Sequence, residues 1–270
     1  MNTIRPPAVA GTFYPGAGRV LVQDIRTMLD SALSKTPAAT APKALIVPHA
    51  GYIYSGSTAA LAYAQLAAVR HSIRRVVLLG PAHRVPVRGL ALPGDDFLAT
   101  PLGEIEVDQV AVTQLLKLPQ VVVSRHVHAQ EHSLEVQLPF LQTVLDNFTL
   151  VPLVVGDASP NEVAEVLELL WGGPETLLVI SSDLSHFLPY RTAQQIDSQT
   201  TQAILNLDGR LSHQQACGGT PINGLLLAAH QHGLQPHLLG LCNSGDTAGD
   251  KERVVGYAAL TFTREPDHAH

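Results

Sequence analysis

Cysteine is almost missing from this chain: 270 residues contain two, Cys217 and Cys242. Two cysteines cannot build a disulfide framework, so a small stapled extracellular domain is excluded and either thiol is free to act as a ligand. Charge is sparse as well. Only 15% of residues are charged, and 17 Lys and Arg against 23 Asp and Glu leave a formal net charge of −6. No Lys/Arg cluster interrupts that balance, which argues against nucleic acid and anionic membrane surfaces as partners. No apolar run approaches the roughly 18 residues of a membrane-crossing helix, and the opening MNTIRPPAVAGTFYP lacks the apolar core of a secretion signal. A cytoplasmic location is the expectation. Also absent are G-x-S-x-G, G-x-x-x-x-G-K-[ST], H-E-x-x-H and C-x-x-C, while GAGRVL at 16–21 lacks the third glycine of a dinucleotide loop. Ordinary esterase, P-loop and Rossmann chemistry are thereby set aside, and any metal site has to be assembled from distant segments.

What the chain has is apolar residues, 46% of the total, distributed as short Val/Ile/Leu runs that alternate with helix-length patterns. Alternation of this kind predicts an α/β fold with a mixed, mostly parallel sheet covered by helices on both faces. Helices are expected over 19–34, 56–69, 108–117, 133–146, 160–171, 192–206 and 221–232. Strands are expected over 44–48, 75–80, 120–124, 149–155, 176–181, 236–242 and 253–262. RGLALPGDDFLATPLGEIEVD reads as short antiparallel strands joined by Gly/Pro turns. The linker SKTPAATAPK precedes the first long strand, no internal linker or repeat divides 1–270, and residues 263–270 read as a disordered tail. One domain is the simplest count.

Four apolar runs end in metal-capable residues: ALIVPHAGY at 44–52, VVLLGPAHR at 76–84, LLVISSDLSHF at 177–187 and LLGLCNSGD at 238–246. In sheets covered by helices the ligand crevice lies at the carboxyl ends of the strands, so His49, His83, Asp183, His186 and Cys242 are candidates to converge there. Each has a plainer role open to it. His49 could pack on Tyr52 or Tyr54, Asp183 could cap a helix, and Cys242 could be a buried structural thiol. The D-x-x-H spacing of Asp183 and His186 places both on one face if a helical turn begins there. RHVHAQEHSLEVQ adds His126, His128, Glu131, His132 and Glu135. If RHVH extends the strand, His126 and His128 share a face, and if Ser133 caps the next helix, Glu135 serves the helix dipole. Glu131 and His132 then point towards the sheet end as groups that orient ligands or move protons.

RPPAVAGTFYP, VPHAGYIYSG, LLGPAHR, TPLGEIEVD, EHSLEVQLPFL, SSDLSHF, CGGTPI and GYAALTF, in that order, resemble the MEMO family, whose bacterial and archaeal members are called AmmeMemoRadiSam system protein B. The resemblance spans nearly the whole chain. It implies a fold similar to the class III extradiol dioxygenases, non-heme iron enzymes that open catechol rings. In that resemblance His49 and His83 match the metal-site histidines, Cys242 matches the cysteine standing where the dioxygenases use a carboxylate, and Asp183 and His186 line the same pocket. A thiolate ligand shifts preference towards copper, zinc or low-potential iron. The family name also implies association with AMMECR-type and radical S-adenosylmethionine proteins.

The resulting expectation is a metal-dependent redox enzyme, dioxygenase-like, with iron or copper held by His49, His83 and Cys242. Asp183, His186, His132 and Glu131 are the candidate acid/base and orienting groups. Two other readings compete: a non-catalytic scaffold whose pocket governs docking to partner proteins, and a zinc-assisted hydrolase.

Overall fold

A computed structural model describes residues 2–35 and 41–264. The chain begins with β1 (Ile4–Arg5) and α1 (Gly18–Lys35), then β2 (Ala44–Val47), α2 (Tyr52–Ala64) and β3 (Arg75–Pro81). Three short strands follow, β4 (Leu90–Leu92), β5 (Phe97–Thr100) and β6 (Gly103–Glu106), leading to α3 (Gln109–Leu115) and β7 (Val121–Val123). Next come α4 (Arg125–Ala129), α5 (Leu138–Val144), β8 (Thr149–Val155), α6 (Pro160–Leu169) and β9 (Thr176–Ser181). The chain closes with β10 (His186–Leu188), α7 (Tyr190–Leu205), α8 (Gly219–Gln231), β11 (Leu234–Asn243) and β12 (Val254–Arg264). Apart from α4 and the split of 133–146, each long element falls within a few residues of its expected span. α6 shows why such starts are legible: Ser159 accepts from Glu162 N and the Glu162 side chain accepts from Ser159 N, with Pro160 at the first turn.

The main sheet has nine strands in the order β10-β12-β2-β9-β3-β8-β4-β7, with β11 also paired to β12. β2, β9, β3 and β8 run parallel to one another, while β12 is antiparallel to β2, β11 to β12, and β4 to β8. The parallel character is therefore central and the antiparallel pairings lie at the flanks. β1, β5 and β6 form a separate three-stranded sheet. β5 and β6 are the antiparallel hairpin expected from the Gly/Pro-rich segment, whereas β4 joins the main sheet.

Period-two alternation divides the strands between two cores. Leu45 and Val47 of β2 face the side where Leu21 and Ile25 of α1, Tyr63 of α2 and Phe140 of α5 are buried. Ile46 faces the other, against Val166 and Leu167 of α6 and Ile222 and Leu225 of α8. Because helices cover both faces, β2 and β9 are buried at every position, which explains why their sequences are continuous apolar runs. Two glycines permit close approaches that shape the sheet end. A Cβ on Gly80 would meet Ser133 Oγ at 2.8 Å, and one on Gly218 would meet Ser182 Cβ at 2.7 Å.

The expected tail needs a correction: Thr263 and Arg264 belong to β12, where Gln235↔Thr263 and Leu234↔Arg264 are registered pairs, and the remainder of 263–270 lies outside the described residues. Residues 36–40 of the expected linker also lie outside them. Among the described residues no helix is long and apolar enough to cross a membrane.

Candidate metal centre

β2, β9 and β3 are adjacent and parallel, so the residues just past their carboxyl ends must be neighbours. His49 follows β2, Asp183 follows β9 and His83 follows β3. His132 arrives from the loop before α5, where the Ser133 hydroxyl donates to Pro81 O at 2.9 Å and holds that loop against the end of β3. One ligand atom from each of His49, His83 and His132 lies within 4.8 Å of the other two. Ring centroids are 5.2 Å apart for His49 and His83, 5.5 Å for His49 and His132, and 4.7 Å for His83 and His132. The three histidines come from segments 83 residues apart in sequence at the extremes and meet only in the fold.

Hydrogen bonds decide how the rings face. His83 Nδ1 lies 2.9 Å from Glu131 Oε1, and Glu131 also accepts from His83 N at 2.6 Å and from His132 N and Ser133 N at 2.9 Å. Burial alone would raise the Glu131 pKa, but the His83 ring and these amides outweigh it and hold the carboxyl down at about 2. An ionised carboxylate only accepts, so His83 Nδ1 carries a proton towards it and Nε2 is the ring atom left to face the cluster. Burial, with smaller contributions from neighbouring histidines, depresses His49 below its ordinary value, and burial lowers His132 to about 4. His49 and His132 are thus favoured in the neutral form that a metal requires. His132 Nδ1 is buried and makes no hydrogen bond, with Glu131 Oε1 3.4 Å away. Donor atoms 2.0–2.1 Å from a tetrahedral ion sit roughly 3.4 Å apart. The cluster therefore needs an ångström-scale contraction to fit a transition metal, and the orphaned nitrogen is consistent with a site built for one.

Cys242 does not join this group, contrary to the sequence expectation. β12 is interposed between β2 and the edge strand β11, so Cys242, paired opposite Tyr257, lies two strands from β2, about 10 Å across the sheet. Its Sγ is 3.1 Å from Thr58 Oγ1 of α2. The thiol beside the histidines is Cys217, in the loop before α8, with Sγ 3.4 Å from His49 Nε2 and 3.6 Å from Asp183 O. Burial pushes that thiol up to about 12. Cys217 stands in CGGTPI, a motif quoted above for the family resemblance and not followed by a strand, which is why the strand-end pattern passed over it.

Asp183 sits under His49, accepting from His49 N at 2.7 Å. Burial raises its carboxyl to about 6, against the opposing pull of that backbone hydrogen bond and of His186. The helical turn expected at D-x-x-H is absent: 182–185 is irregular, and His186 opens β10 with Nδ1 2.8 Å from Leu184 O. Phe187 follows at φ 59, a region that bulky residues rarely adopt, and lies exposed beneath the Arg253 guanidinium.

RHVH does not continue β7 but forms α4, capped by Ser124 accepting from Val127 N. His128 is buried with Nε2 2.7 Å from Ala91 O, and His126 is exposed. Ser133 caps no helix, since its hydroxyl is committed to Pro81 O, and residues 135–137 form a short 3-10 turn before α5. Nor does Glu135 serve a helix dipole. Its carboxylate accepts from Arg5 Nη1 at 2.5 Å, Ala8 N at 2.8 Å, Val9 N at 2.9 Å and Tyr14 OH at 2.7 Å, tying the N-terminal segment to the site loop. Arg5 also donates to His128 O and Glu131 O, and the Phe13 ring lies 4.8 Å from that of His132. No feature of the N-terminal sequence announced this strap.

His128 gives a test of burial by pH. Burial lowers it from 6.5 to about 4, so between those values the unfolded chain binds a proton that the folded chain refuses. Stability is complete above pH 6.5 and falls as pH drops towards 4, by at most about 3 kcal/mol at roughly 1.4 kcal/mol per unit. His128→Gln keeps a donor for Ala91 O and is expected to flatten this slope in urea titrations of metal-free protein at pH 7, 6 and 5. An unchanged slope would show that His128 does not titrate as its burial requires.

A family model described as Memo-like protein matches residues 5–261. A MEMO1 family protein of Ignicoccus hospitalis is 36% identical over 283 aligned positions, covering 96% of this chain and 98% of its own length. MEMO1 family proteins of Sulfolobus acidocaldarius, 36% identical, and Aquifex aeolicus, 35% identical, each cover 96% of this chain and 99% of theirs. Among solved structures, an uncharacterized protein of Escherichia coli K12 superposes with a TM-score of 0.51 at 13% identity, covering 80% of this chain and 98% of that one. That likeness concerns the fold alone.

Proposed function

Because the chain belongs to the Memo-like protein family, we propose that His49, His83 and His132 hold a transition-metal ion, iron or copper, in a dioxygenase-like redox enzyme. The observation that carries this reading is the convergence of three imidazoles within 4.8 Å, one with an orphaned buried nitrogen. Imidazole donors suit iron, copper and zinc, and the soft Cys217 sulfur beside His49 suits copper, zinc or low-potential iron. Such an ion, when bound, would supply Lewis acidity and one-electron chemistry.

The chain's own groups then divide into roles. Glu131, held ionised by its hydrogen bonds, orients His83 and is a poor proton shuttle at neutral pH. His132 is a donor of the cluster, not a group on the substrate side. Asp183 is the acid/base candidate: its carboxyl at about 6 changes protonation near neutrality, and His186 acts on it electrostatically. The Phe13 ring against His132 helps to exclude water.

A hydrolytic reading draws on one specific observation, that three histidines are also a donor set of catalytic zinc. The two separate by experiment. Untagged protein is analysed for iron, copper and zinc, and oxygen consumption is followed with a panel of catechols. The redox reading expects one iron or copper per chain, lost in His49→Ala, with oxygen uptake that the variant lacks. Zinc at one per chain with oxygen-independent hydrolysis would replace it, and metal content equal in wild type and variant would sink both.

A further inference from the structure

The two partners of the inward-facing histidines differ in kind. His83 is oriented by a carboxylate, which can only accept, but His49 Nδ1 lies 2.9 Å from a hydroxyl, Ser181 Oγ, which can donate or accept. By itself that contact leaves the tautomer of His49 open. The next shell of groups closes it. Gln137 Nε2 is 2.9 Å from Pro48 O, which accepts only, so the amide nitrogen is fixed on that side and its second hydrogen points to Ser181 Oγ at 2.8 Å. Ser181 gives its single proton to Ser133 O at 2.6 Å, and Tyr63 OH donates to Gln137 Oε1 at 2.9 Å. With its proton directed to a carbonyl and one amide already donating to its oxygen, Ser181 can only accept from the ring. All four side chains are buried.

We propose that Gln137 and Ser181 are positioning residues that lock His49 as the Nδ1–H tautomer, leaving the Nε2 lone pair turned to the cluster. The proposal rests on the metal-centre reading for its purpose but not for its proof. A chain Tyr63–Gln137–Ser181–His49 performs with neutral groups what Glu131 performs for His83 with a charge. The neutral form keeps a second negative charge out of a region where Asp183 is already buried beside His49.

The test uses metal-free, full-length protein carrying 15N-histidine, with long-range 1H–15N correlations read for wild type, Ser181→Ala and Gln137→Met, followed by cobalt(II) and zinc(II) affinities by competition. The wild-type spectrum is expected to show His49 protonated at Nδ1 alone. Ser181→Ala and Gln137→Met are expected to populate the Nε2–H form of His49, leave the His83 tautomer unchanged and weaken metal binding 10- to 100-fold. Wild-type His49 protonated at Nε2 would overturn the proposal without any variant having to fold. So would two folded variants that keep both the wild-type tautomer and the wild-type affinity. If wild type binds neither ion, the metal centre falls while the tautomer measurement still decides the lock.

Discussion

Glu135→Ala is expected to lower the unfolding free energy by about 3–5 kcal/mol, the range found when one partner of a buried ion pair is removed. The Glu135 side chain is wholly buried and that of Arg5 is 5% exposed. Truncation strands the guanidinium, two backbone N–H groups at Ala8 and Val9, and the Tyr14 hydroxyl, all of which end on this carboxylate. Arg5 is additionally bonded to His128 O and Glu131 O, so its release loosens the loop that carries His132. Urea unfolding of metal-free protein measures the effect, and a loss below about 1 kcal/mol would show that water or a rearranged strap satisfies these groups. Glu135→Gln, which retains one acceptor and the shape, should fall between wild type and Ala.

The second large effect concerns the ligands themselves. His83→Ala and His132→Ala are each expected to weaken cobalt(II) binding by more than about 100-fold, beyond the 10- to 100-fold typical of removing an orienting partner. Cys242→Ser should leave affinity unchanged, because that sulfur is engaged with Thr58 on the far side of β12. Cys217→Ser separates a thiol that ligates from one that merely borders the cluster: ligation predicts loss of the sulfur-to-cobalt absorption band. A loss with Cys242→Ser and none with Cys217→Ser would reverse the assignment made from the geometry.

That reversal marks where the sequence ceases to be legible. Buried strands announce themselves, since ALIV and TLLVIS must be apolar on both faces, and parallel neighbours bring His49, His83 and Asp183 to one edge by rule. The identity of the third neighbour is another matter. Cys242 ends an apolar run just as His49 does, and only the strand order shows that β12 stands between them. Cys217 approaches through a loop that Gly218 allows to press on Ser182, a contact that no hydrophobic period or strand end betrays. Glu135 was hidden for a similar reason: its partner, Arg5, lies 130 residues away. Local signals report elements, while charges choose partners across the fold.

The groups around His49 also set an order of events. His49 meets Asp183 across 134 residues of sequence and Cys217 across 168, so nothing short of the nearly complete sheet brings them together. Loop closure over such distances comes late and slowly in folding. A nascent or partly unfolded chain therefore has no preformed trap for a metal ion, and its histidines are scattered single ligands of little affinity. A cluster assembled in this way can take an ion only after the architecture is committed, which would separate the fidelity of folding from the supply of metal in the cell.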